Sequence, residues 1–551
     1  MSSFCETSRL RVCTPGAFSR TLKQDLHCSP LVAALLEMRG FDSETEIDRA
    51  RTWISPSLEL LMGDVDLGTG ALVAKEEWLS AASFGNVVVY GDYDVDGISA
   101  TVLAVELARA KSREVRYFIP ERHSEGYGIH QRVIASLADM GCNTLLVVDC
   151  GTKDGIVLEE ASRQGIRVIV FDHHTPDNET RPYRVTVNPQ IDGNLSGRRL
   201  CAASLLWAWA WLFDIAPRER LRTLSDLAAM ATIADCMPLD LLNRAIVREG
   251  IRKMNRAPRP GITRLVRRLG LEPGNVNEEH LAMKVIPCLN AAGRLECADT
   301  AVNVMLGVPT MERDVETLVE LNRKRQTIST RLAREIGIQR EKDGARVLYG
   351  EDWPVGVLSG VASRLCNEKS TPIVLAAPTN GSVRGTLRVP EGGNAMEILD
   401  TVSADLLAWG GHRYAAGFSV SCQRWTSVRE RLEELLGTVR IELPEVAALA
   451  WRPGDITLEE WESVDCIAPF GMGNPCPLFF FEARGDERTS PLGKTGEHVR
   501  LDAGGVVLLA FNGVALLERD GVCGYVFHPR IDTWRGTRRI QFILDHVVIE
   551  N

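Results

Sequence analysis

Four apolar runs constrain this chain more than any other feature: NVVVY, VRYFI, TLLVV and RVIVF, separated by helical stretches such as TVLAVELARA and HQRVIASLADM. Such alternation predicts a parallel sheet joined by right-handed crossovers. In a sheet of that kind ligands gather beyond the carboxyl ends of the strands. Three acidic segments sit there. VVVYGDYDVDG carries Asp92, Asp94 and Asp96, LLVVDCG ends at Asp149, and VIVFDHH ends at Asp172, His173 and His174. A fourth, MATIADCMPL, holds Asp235 within an apolar stretch.

Carboxylates are costly to bury without a counter-charge, so several of them converging with imidazole imply bound cations. Oxygen ligands with some imidazole suit Mn²⁺ or Mg²⁺ better than a thiolate-seeking metal. Two such ions side by side form the usual apparatus for cleaving phosphate esters. The expectation is a two-metal phosphoesterase.

At 551 residues the chain should divide into several domains. Residues 1–75 read as a helical lead-in and 76–308 as the α/β catalytic domain. Residues 309–342 form one highly charged helix, which either bridges two domains or packs along one with a solvated face. A smaller α/β domain follows over 343–445, with ARVLYG, WPVGVLSGVASRL and TPIVLAA as strand, helix and strand. From 446 to 551 short strands suggest a small barrel.

The formal net charge of −10 argues against a protein that coats duplex DNA, but leaves a nucleic-acid enzyme open. Fourteen cysteines without a CxxC pair indicate neither a zinc site nor a disulfide framework. No apolar run reaches membrane-spanning length, and MSSFCETSRLRVC lacks a signal-peptide layout, so a cytoplasmic protein without membrane association is expected.

Singly, each motif has a plain alternative. Asp94-x-Asp96-Gly97 could be a polar turn and Asp149 a helix cap. NAAGRL, with Asn290 and Arg294, could be a tight helix turn, and GGHRYAAGF around His412 a glycine turn. Asp172-His173-His174 is poor filler for a buried strand end, and reads as functional.

In order along the chain, GDYDVDG, VVDCG, FDHH, ATIADCMPL, NAAGRL, Trp353-x-x-Gly356, GGHRYAAG and FGMGNP resemble the DHH phosphoesterase superfamily, and within it the RecJ family of single-strand-specific 5′→3′ DNA exonucleases. The resemblance implies a DHH domain and a DHHA1 domain joined by a long helix, then an OB-type barrel, with two Mn²⁺ or Mg²⁺ ions and single-stranded DNA as substrate. It implies Asp94, Asp96, Asp149, His173 and Asp235 as metal ligands, supported by Asp92, Asp172 and His174. Asn290 and His412 match residues near the scissile phosphate. Arg122, Arg294, Thr386 and Arg388 match a pocket for a terminal 5′-phosphate. In the barrel region Phe470, Lys494, Trp534 and Arg535 are expected to contact the strand, whereas Phe479 to Phe481 read as core.

Three positions depart from the family pattern: Pro354 stands where His is common, Thr386 must supply a hydroxyl usually given by Ser, and Cys288 occupies a place often held by Arg. The implied role is repair and recombination as a monomer beside a single-strand-binding protein and a RecQ-type helicase. Two other readings remain within the superfamily. One is a hydrolase of short RNA or cyclic dinucleotides; the other is a non-catalytic replication scaffold, a lineage that loses ligand carboxylates.

Overall fold

A computed structural model describes the chain except residues 1–8, 81–82, 121–127, 177–178, 194, 380, 440–444, 494–497, 512, 514–520, 535–536 and 550–551. It divides into two compact units. One comprises Arg51–Lys324 and Ile467–Pro475; the other comprises Met1–Ala50, Arg325–Cys466 and Cys476–Asn551.

The first unit is built on a five-stranded sheet in the order Glu114–Phe118, Asn86–Tyr90, Thr144–Val148, Arg167–Phe171 and Thr186–Val187, parallel throughout. Thr144–Val148 is buried along its length, as is Asn86–Tyr90 after its first residue, which is why these runs are apolar at successive positions. From Asn86–Tyr90 the chain crosses to one edge, then returns to place Thr144–Val148 on the other side. That reversal opens a crevice at the carboxyl ends of these two strands. Against the sheet lies Ala202–Leu212, a helix of sequence AASLLWAWAWL that is apolar on every side and buried accordingly. Two of its three indole groups are seen hydrogen-bonded: Trp207 donates to the Leu221 carbonyl at 2.7 Å and Trp209 to that of Ala71 at 3.0 Å.

Within the second unit a mixed sheet runs Ala408–His412, Ala415–Ser421, Ser382–Arg388, Ile373–Thr379, Val347–Tyr349. A further eight-stranded sheet runs Arg9–Cys13, Glu445–Ala450, Leu478–Glu482, Val522–Trp534, Thr537–Ile549, Val506–Ala510, His498–Ala503, Arg488–Leu492. Phe479, fully buried, packs on Phe527 and Phe527 on Phe542, each pair 5.6 Å between ring centres, so Phe479 is core as expected. The helix Met311–Asp343 passes unbroken through the division between the units.

Two segments depart from the sequence expectation. Arg9–Cys13 is a strand inside the lead-in read as helical, because it pairs in parallel with Glu445–Ala450, a partner more than four hundred residues away. Ile467–Pro475, read as part of the barrel, belongs to the first unit. Met472 accepts the Leu239 N–H there at 2.7 Å, and the fully buried Arg244 guanidinium donates to the carbonyls of Trp53 (2.7 Å) and Ala468 (3.0 Å).

Candidate metal centre

The crevice is where the acidic segments meet. Asp92, Asp94 and Asp96 follow Asn86–Tyr90, Asp149 follows Thr144–Val148, and Asp172, His173 and His174 follow Arg167–Phe171. Asp235 caps the end of the helix Ser225–Ala234. Donor atoms fall into three groups of three, each within 4.8 Å: Asp92, Asp94 and Asp149; Asp149, His173 and His174; and Asp96, His173 and Asp235. Asp149 and His173 each belong to two groups, the sharing a pair of neighbouring ions needs. His173 Nε2 lies 3.2 Å from Asp149 Oδ1, 3.6 Å from Asp96 Oδ2 and 3.7 Å from Asp235 Oδ2.

Backbone N–H groups hold Asp94, Asp96 and Asp172. Asp94 caps the helix Val95–Ala108, its Oδ1 accepting the N–H groups of Asp96 (3.0 Å) and Gly97 (3.1 Å). A side chain at Gly97 would begin 2.6 Å from the Asp92 carbonyl oxygen, so the turn closes only with glycine. Asp96, nearly fully buried, accepts the N–H groups of Ala202 (2.7 Å) and Ala203 (2.9 Å) at the start of Ala202–Leu212, where a helix end favours a negative charge. Asp149 adopts a left-handed backbone with φ of 61°. Sparsely populated conformations of this kind persist where the surroundings impose them.

Asp172 is a hub. Its Oδ2 accepts the Thr152 N–H at 2.9 Å; its Oδ1 takes the N–H groups of His173 (2.8 Å) and His174 (3.2 Å) and the ring Nδ1 of His174 (2.8 Å). Although burial opposes it, the His174 imidazolium holds the Asp172 carboxyl below the usual range. Against its own burial, His174 is raised by Asp172 to about 9. Asn188 completes the arrangement, donating to Thr152 Oγ1 and to the His174 carbonyl, each at 2.9 Å.

Asp96, Asp149 and Asp235 move the other way. Burial, then the neighbouring Asp94, pushes Asp96 up to about 6. Burial, then Asp96 and Asp94, pushes Asp149 and Asp235 well above the usual range. Oδ1 of Asp149 and Oδ2 of Asp235 are buried and accept no hydrogen bond. Orphaned anionic oxygens beside imidazole are the donor set of hard divalent cations, and these residues fit Mn²⁺ or Mg²⁺.

A model of the DHH family N-terminal domain matches residues 86–234, the DHHA1 domain matches 343–440 and the RecJ OB domain matches 449–546. The chain is 29% identical over 496 residues to the single-stranded-DNA-specific exonuclease RecJ of Bacillus subtilis, covering 88% of this chain and 62% of that one. Against the protein of the same description from Thermus thermophilus the identity is 31% over 504 residues, covering 90% and 72%. This chain belongs to the RecJ family. A crystal structure of Thermus thermophilus RecJ in complex with Mn²⁺ superposes with a TM-score of 0.82, covering 100% of this chain and 80% of that one at 26% identity.

The other residues expected of a RecJ site fall in both units. Asn290 and Arg294 lie on the helix Ile286–Leu295 of the first. Cys288 on the same helix is fully buried, so this departure serves packing. In the second unit, register places Arg388 opposite Ala415 and Ala415 opposite His412, so the guanidinium and imidazole leave one face of the sheet. The parallel row runs Thr386, Gly417, Gly410, bare beyond the hydroxyl. Arg388 is held by Ser363 Oγ (2.9 Å) and Thr386 Oγ1 (2.8 Å), so the Thr386 hydroxyl orients the arginine. Pro354 is the residue from which the helix Val355–Lys369, carrying Ser363, begins.

Phe470 lies in the Ile467–Pro475 segment, which packs with the first unit although the RecJ OB match spans it, and its N–H donates to Glu278 Oε1 at 2.9 Å. Arg122, Lys494 and Arg535 lie outside the described residues, as does the side chain of Trp534. Sequence reasoning missed the amides of Ala202, Ala203 and Thr152, which carry no side-chain signature. It also missed Asn188, whose only signal was its place just after the strand Thr186–Val187.

Proposed function

We propose that this chain is a metal-dependent exodeoxyribonuclease that degrades single-stranded DNA from the 5′ end and releases 5′-mononucleotides. The observation that carries this reading is the crevice where Asp149 and Asp235 keep buried oxygens without a hydrogen-bond donor beside His173. Asp94, Asp96, Asp149, His173 and Asp235 would hold two ions, Mn²⁺ or Mg²⁺. Such ions polarise a phosphate and lower the pKa of bound water.

The chain's own residues do the rest. Asp172 fixes the ring of His174 through Nδ1, leaving Nε2 to face the crevice. Asp92 supports the ligand loop, while Asn290 and His412 attend the scissile phosphate. Arg294, Arg388 with its Thr386 hydroxyl, and Arg122 receive a terminal 5′-phosphate, which sets the direction of digestion. The barrel adds contacts to the strand through Trp534, Lys494 and Arg535.

In its cellular setting the protein works as a cytoplasmic monomer in DNA repair and recombination, beside a single-strand-binding protein and a RecQ-type helicase. No helix among the described residues is long and apolar enough to cross a membrane. The RecJ OB match at 449–546 favours long single strands over short RNA or cyclic dinucleotides, and the full set of ligand carboxylates disfavours a scaffold. A time course on 5′- and 3′-labelled oligonucleotides with and without Mn²⁺ tests the reading. Early release of label from the 5′ end, dependent on Mn²⁺, is expected; release first from the 3′ end, or without metal, refutes it.

A further inference from the structure

The helix Ile286–Leu295 holds the acidic loop at two points. Oδ1 of Asn290 accepts the N–H of Val95 at 3.0 Å. One turn further on, Gly293 lies against the same loop: a Cβ there would stand 2.2 Å from the Tyr93 carbonyl oxygen. Tyr93 and Val95 alternate with Asp92, Asp94 and Asp96, so both contacts fall between the carboxylates. Asn290 and Gly293 are three residues apart and share a helix face. That face is set by a π-turn, Leu281–Val285, in which the Ile286 N–H bonds the Leu281 carbonyl. Pro287, which has no N–H to give, follows directly.

The first N–H groups of a helix have no intrahelical partner. In Val95–Ala108 three of these are shared out: Asn290 takes Val95, and Oδ1 of Asp94 takes Asp96 and Gly97. Asn290 thereby keeps the Val95 N–H from competing for Asp94, whose Oδ2 stays available to a cation.

We propose that Asn290 is a positioning residue which, with Gly293, clamps the Asp92–Asp96 loop in its ion-binding shape. This rests on the ligand assignment above. Its effect is on the loop, and a phosphate contact is not required for it.

Calorimetric titration of Mn²⁺ into the full chain tests the clamp. Asn290→Ala and Gly293→Ala should each bind Mn²⁺ about tenfold more weakly, the scale of loss when a group orienting a metal ligand is removed. Asn290→Asp keeps an acceptor for the Val95 N–H and should restore binding. The phosphate contact proposed above for Asn290 would raise the KM for a single-stranded oligonucleotide without weakening Mn²⁺ binding, so Mn²⁺ affinity is the readout that belongs to the clamp. Wild-type Mn²⁺ affinity in Asn290→Ala together with a raised KM would overturn the clamp and leave a direct phosphate contact. Should Gly293→Ala fail to fold, Asn290→Ala alone decides. Asp149→Ala separates the two failures: if it too binds Mn²⁺ as wild type does, the ligand assignment is wrong; if only it loses Mn²⁺, the clamp alone falls.

Discussion

Nε2 of His173 stands 3.2 Å from Oδ1 of Asp149, a buried oxygen that accepts no hydrogen bond. The two residues end neighbouring parallel strands, so sheet register sets their separation. An Asp149→Ala, His173→Ala double variant should therefore keep its fold and lose Mn²⁺-dependent nucleotide release by at least about a hundredfold, roughly 3 kcal/mol of barrier. Circular dichroism and release from a labelled single strand measure the two. An undiminished rate would remove both residues from the ligand set.

The raised carboxyls predict how metal and pH trade. Burial pushes Asp96 up to about 6, and Asp149 and Asp235 well above the usual range. A carboxyl raised on folding favours the fold at low pH and opposes it as pH climbs from about 4, its unfolded value, through about 6. Divalent ions bind the deprotonated form and run the other way. The Mn²⁺-induced rise in Tm should be small near pH 5 and reach its full size above about pH 7. Scanning calorimetry across that range checks it; a pH-independent rise contradicts it.

His174 makes a second pH prediction of opposite sign. Despite burial, which lowers it, the Asp172 carboxylate holds this imidazole up at about 9. A histidine raised on folding stabilises fully below its unfolded value of about 6.5 and ceases to do so as pH passes about 9. His174→Ala should cost about 2 kcal/mol near pH 7, the worth of a hydrogen bond between charged groups. The gap to wild type in urea unfolding should narrow by about pH 10. A constant gap would show that the side chain stabilises by packing alone.

Arg388, oriented by Ser363 and Thr386, should discriminate between DNA ends. Arg388→Ala should slow digestion of 5′-phosphorylated single strands by about tenfold to a hundredfold, the worth of one charge-assisted hydrogen bond. Strands with a 5′-hydroxyl should be affected far less. Equal losses on the two substrates, compared by kcat/KM, would exclude a terminal-phosphate role.

The catalytic sheet was legible because burial on both faces forces apolar residues at successive positions. An acid at the end of such a run is costly there unless a cation or a set of donors meets it. Asp92 to Asp96, Asp149 and Asp172 to His174 stood out for that reason. Arg9–Cys13 was not legible, since five residues take strand form only through Glu445–Ala450, which is remote in sequence. The supports of Asp96 were hidden for a different reason: the Ala202 and Ala203 amides act through backbone, which any residue but proline supplies. The place of Phe470 was hidden too, because nearness along the chain does not fix nearness in space. Arg244, over two hundred residues away, decides where its segment goes.

That placement bears on how the protein can be dissected. A truncation at residue 446, meant to excise the barrel, would also strip Ile467–Pro475 from the first unit and deprive the sequestered Arg244 guanidinium of its Ala468 acceptor. An inactive fragment ending there would report injury to the unit that carries the acidic crevice and say nothing of whether the barrel is dispensable. Only a shortened chain with residues 467–475 grafted back could answer that.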